Sequence, residues 1–301
     1  MENKKKYVDL HIHTNKSDGL FSPTEIIYKA NENNTTFISI CDHDTIKGIE
    51  ELQLNLLENM IGVNGVEFSS YLNIEEKRIK LHILGYGFNK NSDYLLKLVE
   101  EMKIKRMQAH KKVLNLLKVM SIPLPEKSIS QLDMERYCWF DREIIKCLEI
   151  ENYNLAKIEQ LRNYFKTNRF SYGKDYELES SRVIDAIKSA GGIAVLAHPM
   201  AYRLPRNDVL KIIKKLANIG IDGVEIYQSD CTFEDSEYLL NISNKYKLLY
   251  SVGSDFHRET NSDGRIIGNG INRNLCVEET SLSNKILEKK LFFTGTKMKE
   301  K

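Results

Sequence analysis

Short apolar runs rich in β-branched residues alternate along the chain with stretches in which apolar residues recur at helical spacing. The predicted strands are residues 7–13, 37–42, 62–68, 81–88, 193–198, 223–228 and 249–255. Strands that are separated by helical segments are typical of a parallel sheet or barrel. The first connecting helix has its own start signal, because Ser22 and Glu25 form a capping-box pattern with Pro23 at the first helical position.

The alternation is interrupted between residues 89 and 179, where the pattern predicts consecutive helices, including a basic one over residues 94–120. We interpret this stretch as a helical insertion that closes over the main domain. The chain then divides into an N-terminal barrel part (1–88), the insertion (89–179) and a C-terminal barrel part (180–301). Further helices are predicted from Ser180 or Ser181 to Gly191, and after Pro205.

Composition excludes several classes of protein. A chain of 301 residues, 42% hydrophobic and with only five cysteines, can fold without disulfides and is neither disordered nor collagen-like. Lys and Arg number 44 against 42 Asp and Glu, so an anionic partner must be attracted locally. No run approaches the roughly 18 apolar residues of a membrane helix, and we expect a cytoplasmic protein with reduced thiols and no membrane partner.

Histidines are few, but their positions are informative. A lone histidine at a strand end is more often a hydrogen-bonded core or rim residue than a metal ligand. Here six of the seven lie on or just after predicted strands: His11, His13, His43, His82, His198 and His257. Because the carboxyl ends of parallel strands meet on one face of a barrel, these side chains are predicted to converge there. His110 is the exception, and we expect it on the surface.

Carboxylates share these positions, at Asp9, Asp18, Asp42, Asp44, Glu67 and Asp255. Imidazole combined with carboxylate and without thiolate suits Zn, Mn or Fe(II) better than Mg alone or an iron–sulfur cluster. So many ligands oversaturate one ion but serve two or three. Clustered divalent ions stabilise both the entering and the leaving oxygen of an in-line displacement, which is what phosphoester hydrolysis needs.

Six motifs in this order resemble the PHP family, named for polymerase and histidinol phosphatase. They are Asp-Leu-His11-Ile-His13 followed by Asp18, Asp42-His43-Asp44, Gly-Val-Glu67, Leu-His82-Ile-Leu-Gly-Tyr, Ala-His198-Pro199 and Ser-Asp255-Phe-His257. The resemblance implies an α/β fold, a distorted (β/α)7 TIM-like barrel with a helical insertion. It also implies a trinuclear metal site.

The resemblance further implies which residues hold each ion. The first ion takes His11, His13, Glu67 and Asp255; the second takes Glu67, His82 and His198; the third takes Asp18, His43 and His257. Asp42 is expected to orient imidazoles from behind, and Asp9 either does the same or caps a helix. The nucleophile is then a metal-bound water held by Glu67, Asp255 and His198, its pKa lowered towards about 7. No general acid is assigned.

The insertion resembles that of a bacterial branch that acts on nucleoside 3′,5′-bisphosphates and on the 5′ ends of short RNA. Arg106 falls where this branch carries an arginine, and Tyr202 follows the His-Pro motif as in the branch. The chain departs from the pattern at Arg142, which has no histidine nearby, and at Arg203, which comes one residue late. These four are the candidate substrate residues.

Alternatives remain at this stage. The basic helix is either a wall that attracts phosphates or a solvated face, and Tyr137, Trp139 and Phe140 either stack on a base or form a small core. The leading function is a metal-dependent phosphatase or 5′–3′ exonuclease with a small phosphorylated substrate and no stable nucleic-acid complex. The alternatives are a phosphatase for another phosphomonoester, such as histidinol phosphate, and a non-catalytic metal-binding domain.

Overall fold

The computed structural model describes residues 5–122, 124–136, 140–173, 177–259 and 264–295, and these form a mixed α/β structure. The strands are β1 (Tyr7–Ile12), β2 (Thr35–Ile40), β3 (Ile61–Ile74), β4 (Lys77–Tyr86), β5 (Leu178–Glu179), β6 (Ile193–Leu196), β7 (Gly223–Gln228), β8 (Leu249–Gly253) and β9 (Phe293–Thr294). The helices are α1 (Pro23–Glu32), α2 (Gly48–Asn55), α3 (Asp93–Val119), α4 (Glu126–Ser130), α5 (Phe140–Ile150), α6 (Leu155–Gly173), α7 (Ser180–Ser189), α8 (Arg206–Asn218), α9 (Phe233–Tyr246) and α10 (Ser281–Glu288).

The chain divides into two compact units. The strand unit comprises Met1–Leu98 together with Leu178–Lys301, and the helical unit comprises Val99–Glu177. All the strands named above belong to the strand unit, while α4, α5, α6 and most of α3 form the helical unit. No helix in the described parts of the chain is long and apolar enough to cross a membrane.

The sheet has the order β1-β2-β3-β4-β6-β7-β8, and β5 and β9 each pair with β3. Most neighbours are parallel, but β4 runs antiparallel to both β3 and β6, so the predicted all-parallel arrangement is wrong for this strand. The reason is the connection: only Glu75 and Glu76 separate β3 from β4, and a link this short joins only antiparallel strands. Glu75 adopts the left-handed conformation that the turn needs, with φ of 55°.

The first strand lies beside the end of the last long strand. The backbone N–H of Asp255 donates to the carbonyl of His11 at 2.8 Å, and that of His13 donates to the carbonyl of Phe256 at 2.9 Å. Gly253 permits this approach, because a Cβ at its position would lie 2.2 Å from the Cβ of His11. The ends of β1 and β8 therefore present their side chains to one place.

The predicted helix boundaries are confirmed where capping chemistry sets them. At the start of α1, the N–H of Ser22 donates to Glu25 Oε2 at 2.7 Å, and the N–H of Glu25 donates to Ser22 Oγ at 3.2 Å. Helix α7 ends before Gly191, which has φ of 78°, and α8 begins directly after Pro205. These local signals act within a few residues, which is why the sequence reveals them.

The helical unit has a hydrophobic core of its own, built from α3, α5 and α6. Phe140 is part of this core, in agreement with the alternative that the aromatic residues form a small core and do not stack on a base. Tyr137 and Trp139 lie outside the described residues. The expected surface position of His110 is wrong. Its ring is buried, stacks on Phe140 with ring centroids 3.9 Å apart, and places Nδ1 3.0 Å from the carbonyl oxygen of Met134.

Candidate metal centre

The end of β1, the middle of β3 and the segment after β8 bring four donors together. Because alternate residues of a strand point to the same side, His11 and His13 present their Nε2 atoms 3.1 Å apart. Both lie 3.2 Å from Glu67 Oε2, and His13 Nε2 is also 3.2 Å from Asp255 Oδ1. His11, His13, Glu67 and Asp255 make up the first donor group, three of them fully buried.

Glu67, in the middle of β3, is shared between donor groups. Its Oε2 faces the first group and also lies 3.1 Å from His43 Nδ1, while its Oε1 is 2.8 Å from His198 Nε2 and 3.0 Å from His82 Nδ1. His82 Nδ1 and His198 Nε2 are 3.4 Å apart. His43, Glu67 and His82 form the second donor group, and His198 lies against it.

The third donor group forms around Asp18. Its Oδ1 is 3.2 Å from His257 Nε2 and 3.6 Å from His13 Nδ1, and its Oδ2 is 4.0 Å from His43 Nε2. His13 and His43 therefore each face two groups, one with each ring nitrogen. The nine side chains predicted as ligands all come together at this centre.

The charges at the centre reinforce one another. Burial lowers the pKa of His13, but the nearby carboxylates of Asp255 and Glu67 outweigh burial and raise the pKa to about 10. Burial raises the pKa of Asp255, yet the nearby His257 and His11 hold it well below its usual range. The carboxylates thus stay ionised and attract positive charge, whether it is carried by protons or by metal ions.

The donor set fits divalent metal ions. His11 Nδ1 is engaged by a carboxylate, as described below, so in the neutral ring Nε2 carries the lone pair and directs it at Glu67. Within the described residues, the buried Oε2 of Glu67 accepts no hydrogen bond although imidazole nitrogens surround it. Converging lone pairs repel unless a cation lies between them, and imidazole with carboxylate is a typical donor set for such ions.

Sequence analysis missed the residue behind His11. Glu225, in β7, is fully buried, with Oε1 3.0 Å from His11 Nδ1 and Oε2 accepting the backbone N–H of His198 at 2.8 Å. A signal was present, because Glu225 is the one charged residue in the run Gly-Val-Glu-Ile-Tyr-Gln. Acidic residues in such buried strands are rare unless they have a partner.

Asp42 and Asp44, two acidic residues near the donors, accept hydrogen bonds from backbone N–H groups. Asp42 accepts hydrogen bonds from the Thr14 N–H at 2.8 Å and the Ser17 hydroxyl at 2.6 Å, so it orients the loop before Asp18 rather than the predicted imidazole. Asp44 likewise accepts from the N–H of Ser69 at 2.7 Å.

Asp9 joins distant segments of the strand unit, which differs from both expected roles. It accepts the N–H of Ser254 at 2.9 Å and that of Gly268 at 2.7 Å. Burial raises the pKa of its carboxyl group to about 6, although these hydrogen bonds oppose the shift. Asp9 thereby fixes the segment that leads to Asp255.

The four candidate substrate residues have different surroundings. The hydroxyl of Tyr202 accepts the N–H of His82 at 3.0 Å and donates to the carbonyl of Ala197 at 2.9 Å, so it ties β4 to the end of β6. Arg203 is exposed, as is Arg142 on α5. Arg106 is buried in the helical unit, where Nη1 donates to the carbonyl of Glu135 at 2.8 Å, so it does not belong to a solvated face.

Comparison with known proteins identifies the family to which the chain belongs. No family model matches the sequence. A curated 5′–3′ exoribonuclease of Haemophilus influenzae is 31% identical over 257 residues, which cover 84% of this chain and 90% of that protein. The chain belongs to the PHP family of metal-dependent phosphoesterases. This PHP phosphoesterase is also 25% identical over 272 residues to a 3′,5′-nucleoside bisphosphate phosphatase of Chromobacterium violaceum, covering 87% of the chain and 90% of the relative.

Two solved structures have a similar fold. A Chromobacterium violaceum structure described as an amidohydrolase with bound sulfate has a TM-score of 0.72 at 21% identity, covering 97% of this chain and 99% of that one. A Bifidobacterium adolescentis structure described as a metal-dependent phosphoesterase has a TM-score of 0.66 at 22% identity, covering 94% of this chain and 96% of that one. At these identities the likeness concerns the fold alone.

Proposed function

We propose that this PHP phosphoesterase hydrolyses phosphomonoester or phosphodiester bonds of nucleoside 3′,5′-bisphosphates or short 5′-phosphorylated oligonucleotides. The carrying observation is the convergence of imidazole and carboxylate donors on both oxygens of the buried Glu67. The substrate class comes from the printed activities of the Haemophilus influenzae exoribonuclease and the Chromobacterium violaceum phosphatase.

The donor groups support two or three divalent ions of Mn, Zn or Fe. We assign His11, His13, Glu67 and Asp255 to the first; Glu67, His82 and His198 to the second; Asp18, His43 and His257 to the third. The position of β1 beside the end of β8 supports a distorted (β/α)7 barrel around this centre, with the insertion between β4 and β5.

When bound, such ions draw phosphate oxygens and activate water for attack on phosphorus. The chain's own residues prepare this chemistry by position. Glu67, Asp255 and His198 would hold the ions beside the attacking water, and Asp42 fixes the loop that carries Asp18. Asp9 holds the backbone on which Asp255 is presented. The ionised carboxylates attract cations, and bound cations would in turn attract the anionic substrate.

Positively charged side chains are proposed to bind the phosphate that does not react. Arg203 follows the His198-Pro199 motif and is exposed, which suits a substrate contact. The phenol of Tyr202 supports the backbone that carries His82. Arginine suits phosphate because its planar guanidinium donates two parallel hydrogen bonds.

A phosphosubstrate panel tests this proposal. Purified protein with Mn²⁺ is expected to release phosphate from 3′-phosphoadenosine-5′-phosphate, or nucleotides from a 5′-phosphorylated oligoribonucleotide. His13→Ala protein, prepared identically, controls for contaminating phosphatases. Activity on histidinol phosphate alone would contradict the proposed substrate class and support the hypothesis of a phosphatase for another phosphomonoester. No hydrolysis of any phosphoester would support the hypothesis of a non-catalytic metal-binding domain.

The printed activity of a further relative suggests one more substrate for the phosphosubstrate panel. A phosphoribosyl 1,2-cyclic phosphate 1,2-diphosphodiesterase of Eggerthella lenta is 26% identical over 254 residues, covering 83% of the chain and 93% of that protein. A cyclic phosphodiester therefore joins the panel as the second candidate substrate. Preference for it over the bisphosphate, measured as the ratio of kcat/KM values, would select this candidate.

A further inference from the structure

Glu225 connects two donor residues that belong to different strands. Its Oε1 lies 3.0 Å from His11 Nδ1, and its Oε2 accepts the backbone N–H of His198 at 2.8 Å. We infer that Glu225 is a positioning residue of the metal centre, which sets the tautomer of His11 and the backbone of His198 at the same time. The inference rests on the proposed function only in assuming that the donor groups hold metal ions.

The contact with His11 determines which ring nitrogen can bind a metal. A carboxylate oxygen only accepts, so the neutral His11 ring must carry its proton on Nδ1. Its Nε2 then presents a lone pair towards Glu67 Oε2, 3.2 Å away. Carboxylates behind metal-bound histidines commonly fix the tautomer in this way.

The contact with His198 stabilises an unusual backbone. His198 has φ of 28° and ψ of 58°, a region that is strained for a non-glycine residue and persists only where its surroundings hold it. This conformation places His198 Nε2 2.8 Å from Glu67 Oε1. The hydrogen bond from the N–H of His198 to Glu225 is thus part of what directs this imidazole at the second donor group.

The space for Glu225 is provided by a neighbouring strand. A Cβ at Gly253 of β8 would lie 2.4 Å from Glu225 Oε1 and 2.2 Å from the Cβ of His11. No side chain other than hydrogen fits there without moving this pair. The strands β1, β7 and β8 therefore all contribute to one buried arrangement, which orients the imidazoles of His11 and His198.

Replacement of the Glu225 carboxylate by a carboxamide tests the inference. In Glu225→Gln, the amide oxygen must accept the N–H of His198, because a backbone N–H cannot reverse. The amide NH2 group then faces His11 Nδ1, which must accept, and the proton moves to Nε2, where it blocks metal binding. We expect the affinity for one Mn²⁺ ion to fall about 10- to 100-fold while the others bind as before.

The measurement is a Mn²⁺ titration of metal-free protein followed by electron paramagnetic resonance of the free ion, which gives affinity and number of ions without any activity. Asp222→Asn is the matched control, since Asp222 precedes β7 and accepts the N–H of Ala194 at 2.9 Å. It should titrate like the wild type. Melting temperatures of all metal-free proteins report whether the fold is kept.

The outcomes separate this inference from the proposed function. If the wild type binds Mn²⁺ and Glu225→Gln binds every ion equally tightly, Glu225 is only structural and the inference is overturned. If the wild type binds no Mn²⁺, the proposed function fails and the inference fails with it. Should Glu225→Gln not fold, Glu225→Asp replaces it: this shorter carboxylate reaches only one donor, and unchanged Mn²⁺ affinities would overturn the inference.

Discussion

His13 is the residue on which most of the centre depends, because its two ring nitrogens face different donor groups. Nε2 lies 3.2 Å from Glu67 and Asp255, and Nδ1 lies 3.6 Å from Asp18. We expect His13→Ala to reduce kcat by more than about 100-fold and to lower the number of bound ions. Turnover and metal content per chain are the measurements.

His110→Ala is the control for metal content, because His110 belongs to the helical unit and all the donors belong to the strand unit. It should keep the wild-type number of ions. A His13→Ala protein with wild-type metal content and turnover would show that His13 is not a ligand.

His110 makes the stability of the helical unit depend on pH. Burial lowers its pKa from the ordinary 6.5 to about 4, although the hydrogen bond to the Met134 carbonyl opposes this. The unfolded chain therefore takes up a proton at a higher pH than the folded chain does. The uncharged His110 ring therefore contributes to the free energy of unfolding fully above pH 6.5. This contribution, about 3 kcal/mol at most, is lost as the pH falls towards 4.

The free energy of unfolding, measured in urea at several pH values, tests this expectation. His110→Gln can still donate to the Met134 carbonyl but does not titrate, so its free energy of unfolding should fall less between pH 6.5 and 4. Parallel curves for the wild type and the variant would contradict the prediction.

Single residues also show where sequence interpretation ends. The donors could be predicted because each is a histidine or an acidic residue next to an apolar run. Glu225 could not be assigned, because nothing in the sequence says which buried side chain it faces, and His110 could not, because its burial depends on Phe140, thirty positions away.

At the scale of elements, the close contact between β1 and β8 leads to a testable substitution. Gly253→Ala would place a methyl group 2.2 Å from the Cβ of His11, so the strands must separate. We expect a loss of about 1–3 kcal/mol in the free energy of unfolding, together with weaker metal binding. Urea unfolding of the metal-free protein and a Mn²⁺ titration are the measurements.

Gly85→Ala, in β4, provides the comparison. A Cβ there meets atoms of Ile187 and Val66 at 3.0 Å or more, and these side-chain carbons can move. Its loss of stability should be smaller, with metal binding retained. Equal effects of the two substitutions would show that the distance between β1 and β8 does not matter for the centre.

The elements were largely predictable, but the direction of one strand was not. Each of the seven predicted strands has an observed counterpart, because alternation and β-branched residues mark a strand locally. The reversal of β4 escaped prediction, because the Glu75-Glu76 turn lacks the Asn or Gly that usually signals a tight hairpin. His82 was therefore expected within a parallel strand, whereas the strand that contains it runs antiparallel to its neighbours.

For the whole molecule, the division into two units predicts separate responses to metal. The strand unit contains all the donor groups, and the helical unit has its own hydrophobic core. Ions that bind only the folded strand unit stabilise it, by about 2.7 kcal/mol for each site at a free concentration 100 times the Kd. Mn²⁺ should thus raise the temperature of one calorimetric transition and leave the other unchanged.

Scanning calorimetry of metal-free protein with increasing Mn²⁺ tests this prediction, and Ca²⁺ serves as the control, since it prefers ligand sets made only of oxygen. Equal shifts of both transitions, or one transition at all Mn²⁺ concentrations, would show that the units unfold together.

The hydrogen bond between Asp9 and Ser254 has a consequence for biosynthesis. It joins residues 245 positions apart, and donors of the first group come from both of these regions of the chain. A ribosome that has synthesised only the first strands exposes His11 and His13 without their partners. The centre is therefore completed only after Asp255 and His257 leave the exit tunnel, and the closing of such a long loop slows its formation.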